Sequence, residues 1–313
     1  RITKTLLKLK NLLKKRLTNQ IFLKVAAKSW TLTSSDKTIK QQTKKGKEGT
    51  TPLRKSTKSQ DGITNTPKSA QMNLAIDIGN TNIKIGVFDG EDLIAHFRHD
   101  LSDINSIISS IKEYNPNKCI ISSTSIAPED IKRQIEEKHK TKIIIFDHNT
   151  PIPITNLYET PETLGKDRLA AVIGAYCQKE GNNILVIDAG TAITYDIITS
   201  EGKYIGGNIS AGVDMRFKAL NKFTSRLPLV SANGKRQEIG TNTETAIRCG
   251  VINGIKFEIE GYINYFADKF PSLLVFLTGG NDFDFDERIK KRIFADNFLV
   301  LRGLNRILIE QTL

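Results

Sequence analysis

Three aspartates in this chain of 313 residues stand where a carboxylate could take part in chemistry. Asp77 lies in "LAIDIGNTNIKIGVF" (Leu74–Phe88), where an apolar run ends in Asp, Gly79 follows two residues later, and Asn80 and Thr81 precede a second strand-like run. Asp188 lies in "ILVIDAGTAITYDIITSEGKYIGGNIS" (Ile184–Ser210), where Gly190 matches Gly79 and Thr191 supplies a small hydroxyl. A strand ending Asp-x-Gly sets a carboxylate on a tight turn. Glycine there permits unusual backbone angles, so that neighbouring amides can turn toward a ligand. Such a turn suits a phosphate, with the Asp reaching it through a metal ion or water. A single copy reads as a hairpin with a capping Asp, whereas two copies in matched frames, 111 residues apart, favour the phosphate.

The third carboxylate is Asp167 in "YETPETLGKDRLAA", within Gly165-Lys166-Asp167-Arg168 at or just inside a helix start. The helix dipole and neighbouring cations keep a carboxylate ionised there, so that it can accept a proton from a substrate hydroxyl. Equally, Asp167 reads as a helix cap and Arg168 as a surface cation. Two glycine turns complete the set. "GGNISAG" (Gly206–Gly212) ends a strand and opens a helix, a natural anion site, and "LTGGND" (Leu277–Asp282) follows an apolar strand as adenosine-side turns do. No GxxxxGK[ST] occurs, and no GxGxxG follows a strand. The four histidines (His96, His99, His139, His148) lack ligand spacing. Phosphoryl transfer depends on positioning and charge neutralisation more than on covalent chemistry. Two Asp-bearing turns and a carboxylate near the acceptor meet that need.

The elements that must position these groups alternate as an α/β protein with mixed sheets. Leu74–Asp77 and Ile83–Phe88 read as strands, with "DGED" as a hairpin turn into "LIAHFRHD". "IKEYNPNKCIISS" runs from a helix end through an Asn/Pro break into a buried strand, Pro128 to His139 reads as a charged surface helix, and "KIIIF" as another strand. Thr160-Pro161-Glu162 looks like a helix start. Leu169, Val172, Ile173 and Tyr176 then repeat at helical spacing until Gly181. Thr241 and Glu244 suggest a capping box for a long helix whose apolar face carries Ile247, Val251, Ile255, Ile259 and Ile263. The two Asp motifs make this a duplicated domain, with half-domains at 72–182 and 183–313, each opening with a three-stranded meander and facing the other across a cleft.

The formal charge of +12 is unevenly spread. Residues 1–71 hold 18 Lys and Arg against three Asp and Glu, and the remainder is mildly acidic at −3. The overall basicity therefore argues nothing about the globular part, for which no nucleic-acid partner is expected. Residues 1–71 read as a basic, disordered extension, either a targeting or surface-binding segment or, in the favoured reading, sequence upstream of a natural start at Met72. Cys119, Cys177 and Cys249 show neither a disulfide framework nor zinc spacing, which fits a reducing cytoplasm. No apolar run approaches the roughly 18–20 residues of a membrane span.

Taken together and in order, "DIGNTNIK", "Y…GKDR", "DAGTAIT", "GGNISAG", "GTNTETAI" and "TGG" resemble the type III pantothenate kinases, within the actin/Hsp70/sugar-kinase superfamily. The resemblance covers Met72 to about Leu313. It implies actin-like (ribonuclease H-like) half-domains with five-stranded mixed sheets and an ATP cleft between them. It also implies ATP-dependent phosphorylation of the 4′-hydroxyl of pantothenate, the first step toward coenzyme A. By the same resemblance Asp77, Ile78, Gly79, Asn80, Thr81, Asn82, Ile83 and Lys84 form the first phosphate-binding turn, and Thr191 contacts ATP. The resemblance also implies that Tyr158 packs against pantothenate, that Gly165, Lys166, Asp167 and Arg168 hold it, and that Asp167 is the general base and Arg168 an anchor. Asp188 resembles a ligand of a monovalent cation, K+ or NH4+, and Mg2+ accompanies ATP. Thr243 resembles the threonine that completes the pantothenate pocket in the family's homodimer. The family's glycine-rich turn usually ends Pro-Gly, where this chain has Ala211-Gly212, a change expected to soften the turn without removing its amides. The long basic arm is also foreign to the family. Two other readings stand beside this one: a non-enzymatic regulator similar to the Bvg accessory factor group, and a kinase for another small hydroxyl substrate on the same fold.

Overall fold

The computed structural model describes residues 72–311 apart from 104, 126, 138, 140, 281, 282 and 284. The expectations for residues 1–71, and for Asn281 and Asp282 at the end of "LTGGND", lie outside the described residues. The first sheet begins with an antiparallel meander, β1 (Met72–Ile78), β2 (Asn82–Asp89) and β3 (Asp92–Asp100). Two strands then add in parallel to the other side of β1, β4 (Lys118–Ser123) and β5 (Lys142–Ile145), reached through helices α1 (Asn105–Tyr114) and α2 (Pro128–Glu136). The spatial order is β3-β2-β1-β4-β5. The predicted helix to His139 stops at Glu136, and its buried residues are Pro128, Ile131 and Ile135.

The second sheet repeats this plan. Strands β7 (Ile184–Ala189), β8 (Ala192–Ile198) and β9 (Lys203–Ala211) form the meander, and β10 (Leu274–Gly279) and β11 (Ile293–Ala295) add in parallel beyond β7. The expected five strands become six, because β6 (Thr155–Asn156) pairs in parallel with β9. This short strand was unreadable in the sequence, having two residues and no alternation of its own. The connecting helices are α3 (Lys166–Gln178), α4 (Val213–Lys222), α5 (Thr243–Ala267), α6 (Glu287–Lys290) and α7 (Leu299–Glu310).

Strand periodicity sorts the core into layers. Leu74, Ile76 and Ile78 of β1 face α1 and α2, packing with Ile107, Ile111, Ile131 and Ile135. Ala75 and, on β4, Ile120 face the opposite way, into a central layer that also holds Val186 and Ile198 of the second sheet. Helices α3 and α7 fill that layer: α3 packs on β7 and β8, and α7 packs on β1, β2 and β4. Helix α7 thus covers the first sheet although it follows every strand of the second among the described residues. Asn305 fastens it there, bonding Asn73 on β1 at 3.0 Å and donating to the Gly90 carbonyl at 2.9 Å. The outer face of the second sheet is covered by α5, whose predicted apolar stripe of Ile247, Val251, Ile255, Ile259 and Ile263 is buried.

Two helix starts differ from expectation. Pro161–Thr163 forms only a 3-10 turn, and Leu164 is extended with φ −64° and ψ 130°. Its side chain is buried in the central core, so the chain starts again at Lys166 with Gly165 as N-cap. The capping box of α5 lies one residue further than Thr241 and Glu244. Asn242 accepts from the Thr245 amide at 2.9 Å, and Thr245 Oγ1 accepts from the Asn242 amide at 3.1 Å. Asparagine is a stronger N-cap than threonine, and Glu244 is drawn instead to the buried Arg248 guanidinium.

Candidate active site

The two Asp turns have the same backbone construction. In the first, the Gly79 amide donates to the Asn82 carbonyl at 3.0 Å, and in the second the Gly190 amide donates to the Ala192 carbonyl at 3.0 Å. Neither glycine adopts the left-handed region, and a Cβ on either would meet only ordinary contacts. The expectation of unusual backbone angles is therefore corrected: these glycines leave the turn surface bare rather than bend it. The first turn is braced from β4, where the Thr124 amide donates to the Ile78 carbonyl at 3.0 Å and Ser125 Oγ donates to the Gly79 carbonyl at 2.7 Å. The second is closed by Gly212, whose amide donates to the Thr191 carbonyl at 3.2 Å. Any side chain at Gly212 would run into the carbonyls of Gly190 and Thr191. Gly279, with φ +103°, lies equally close to the Ala189 backbone. "DAGT", "SAG" and "TGG" thus converge at the end of β7.

The three aspartates act on one another. Asp77 is buried, faces Lys84 across the β1–β2 pair and lies 4.0 Å from its Nζ. Burial pushes its carboxyl up to about 7; Lys84 opposes this, and Asp167 and Asp188 add to it. Burial also raises Asp188 to about 6, again with Lys84 lowering it and Asp167 raising it. Two carboxylates from matched strand ends thus lie within electrostatic reach of one lysine and of a third carboxylate in the first turn of α3. Asn80, Thr81 and Thr191 lie exposed at its edge.

The described residues include no ready-made group of three His, Cys, Asp or Glu able to enclose a metal ion. Asp77 Oδ1 nevertheless lies buried with no hydrogen-bond partner. An orphan carboxylate oxygen beside further carboxylates fits a hard cation that brings its remaining oxygen ligands with it, as a cation on a phosphate does.

Arg168 is not the surface cation of the alternative reading. It is 6% exposed, and its Nε and Nη2 meet Asp196 on β8 at 2.6 to 3.2 Å. Burial lowers its pKa, but the bonds to Asp196 and that residue's charge outweigh this and hold the guanidinium above its usual range. Tyr204 donates to Asp196 at 2.8 Å and stacks on Tyr158 with ring centroids 6.1 Å apart, and Arg168 faces the Tyr158 ring at 5.6 Å. Asp167 sits one residue before this anchor and accepts from the Arg168 amide at 2.9 Å. Lys166 Nζ donates to the Ser123 carbonyl at 3.4 Å, tying α3 to the end of β4. Thr243 stands apart, exposed at the start of α5, with no hydrogen bond to Tyr158, Asp167 or Arg168.

Asp196 and Tyr204 were missed in the sequence. The signal was present: a single acid inside the apolar strand "AITYDIIT" cannot be buried without a cation.

The family model described as type III pantothenate kinase matches residues 73–265. A type III pantothenate kinase of Phocaeicola vulgatus is 52% identical over 237 residues, 76% of this chain and 98% of that one. One from Bacteroides fragilis is 51% identical over 237 residues, covering 76% of this chain and 97% of its own. Among solved structures, a Baf family protein from Campylobacter jejuni aligns with a TM-score of 0.48 and 24% identity, over 76% of this chain and 98% of that one. With its paired Asp turns, its GKDR helix start and these relatives, the chain belongs to the type III pantothenate kinase family.

Proposed function

We propose that this protein transfers the γ-phosphoryl group of ATP to the 4′-hydroxyl of pantothenate, the entry step to coenzyme A. Beyond the family itself, the observation that supports the reading is the matched pair of Asp turns, with Lys84 4.0 Å from Asp77 and the charge of Asp167 felt at both Asp77 and Asp188. In this reading residues Asp77 to Lys84 and Thr191 bracket the nucleotide phosphates from the two matched turns. Tyr158 and Arg168, fixed by Asp196 and Tyr204, form a wall for the acceptor, with Gly165 and Lys166 at its foot. Asp167 accepts the hydroxyl proton as the oxygen attacks. The new O–P bond forms while the bond from the γ-phosphorus to its bridging oxygen breaks, and ADP carries the leaving charge away. A divalent cation accompanying ATP would supply charge neutralisation on the phosphate oxygens, held by Asp77 and Asp188. Asp188 is also the proposed ligand of K+ or NH4+.

A homodimer is part of the proposal. Opposite its buried stripe, α5 presents Gly250, Gly254, Phe257, Gly261 and Tyr265 at helical spacing, with Phe257 65% and Tyr265 54% exposed. Glycines let a second helix approach closely, and the aromatic rings supply area to bury. Thr243 opens the same helix, which suits a residue that completes a partner's pocket. The three cysteines are free, in keeping with the cytoplasm as the proposed compartment. No helix among the described residues is long and apolar enough to cross a membrane.

The test is ADP release from the full chain with ATP and pantothenate, with and without K+ or NH4+. Turnover that needs both substrates and rises with either cation supports the reading. Asp167→Asn should lower kcat by about 100-fold or more, the range for a positioned base. Full turnover in that variant removes Asp167 from the role.

A further inference from the structure

The first turn of α4 contains an arginine in an unfavourable place. Arg216 lies one turn from the helix N-terminus, where the helix dipole disfavours a cation. Its side chain folds back past that end instead of reaching solvent. Nε donates to the Ala211 carbonyl at 2.8 Å and Nη2 donates to Ser210 Oγ at 2.9 Å, while Nη2 also pairs with Glu258 Oε2 on α5. The other carboxylate oxygen of Glu258 accepts from Tyr195 on β8 at 2.8 Å. The Tyr195 ring in turn lies 4.0 Å from that of Tyr262, one helical turn along α5. Three elements are thus joined through one guanidinium. Arg216 and Glu258 are each 24% exposed, shielded enough for the pair to keep strength in solution.

What the clamp holds is the peptide between β9 and α4. Ala211 and Gly212 lie directly against the second Asp turn, where the Gly212 amide donates to Thr191 and no Cβ fits at Gly212. A displacement of Ala211 therefore moves Gly212, and a displacement of Gly212 moves Gly190 and Thr191.

We infer that Arg216, fixed by Glu258 and Tyr195, is a positioning pair-member that sets the second phosphate turn for the nucleotide and takes no part in holding the acceptor. The inference rests on the proposed placement of nucleotide phosphates at Asp188 to Thr191. Neither Arg216 nor Glu258 touches the three-aspartate cluster, so their effect passes through the backbone of the turn.

The experiment compares wild type, Arg216→Lys, Glu258→Gln and Thr191→Val by steady-state kinetics with each substrate varied, and by calorimetric titration with ADP and Mg2+. Glu258→Gln keeps the shape and the bond to Tyr195 while losing the charge that fixes Arg216, so it reports even if the arginine variant folds poorly. The expected result is a rise of about 10-fold in KM for ATP and in the ADP dissociation constant for Arg216→Lys and Glu258→Gln. KM for pantothenate should stay within about twofold. Unchanged ATP and ADP parameters in both variants overturn the clamp. So does a uniform fall in kcat with both KM values intact, which reports only a loss of folded enzyme. Thr191→Val separates the two levels. If it leaves nucleotide affinity unchanged, the nucleotide is not at this turn; if it weakens affinity while the clamp variants do not, only the clamp fails.

Discussion

Asp77 illustrates how burial writes a pH dependence into a single residue. Its carboxyl sits at about 7 in the folded protein, against an ordinary value of 3.8. Below the ordinary value both folded and unfolded chains hold the proton, and nothing is lost. Between the two values the unfolded chain gives up its proton while the folded chain keeps it. Stability therefore falls as pH rises through that window and levels off above it. Asp188, at about 6, contributes with the same sign over a narrower range. Asp77→Asn should accordingly be more stable than wild type near pH 8 without nucleotide or metal, by at most about 4 kcal/mol, and close to wild type near pH 4. Urea denaturation at the two pH values measures this, and a variant less stable than wild type near pH 8 refutes it. The chemistry of this residue was legible in the sequence from its place at a strand end beside glycine. The environment of Arg168 was not. Its partner Asp196 is 28 residues away, and only the pairing of β8 beside α3 brings them together.

At the scale of elements, the crossing of α3 and α7 sets the spacing of the two halves. Gly174 and Gly303 lie where the helix backbones touch: a Cβ on Gly174 would strike Leu299, and one on Gly303 would strike Ala170. Two forces disagree over Gly303→Ala. Helix propensity favours alanine by about 1 kcal/mol, whereas forcing a methyl into a closed backbone contact costs about 3 kcal/mol. Packing wins here, because the obstacle is main chain and no side chain can turn aside. Gly303→Ala should therefore destabilise the protein by about 2 kcal/mol, read as a lower urea midpoint with an unchanged slope. A stabilised variant means that the helices can separate. Neither glycine stood out in the sequence, where a glycine inside a helical pattern looks only like a weak point. The apolar stripe of α5 was readable because it repeats every three to four residues along one helix. Its capping box and the strand β6 were harder, since each depends on a one-residue register or on a partner strand remote in the chain.

For the whole molecule, the exposed face of α5 is the feature that asks for a partner. Phe257→Asp places a charge in the middle of the glycine and aromatic stripe without touching the buried isoleucines. Sedimentation velocity should show a dimer for the wild-type chain and a monomer for this variant, with KM for pantothenate raised in the monomer. A wild-type monomer at micromolar concentration removes the dimer from the proposal. The duplication was legible at this scale because each Asp motif announces a meander. The exchange of helices was not, since no local pattern records that α7 returns to the first sheet. That return has a consequence for how the chain is made. Strands β1 and β4, which end by Ser123, leave the ribosome long before the helix that covers their inner face, which starts at Leu299. Until Leu299–Glu310 emerges, Ala75, Phe88 and Ile120 lack the helix that packs on β1, β2 and β4. The first half must wait for α7, and a message cut short before it leaves that face of the sheet without its main cover.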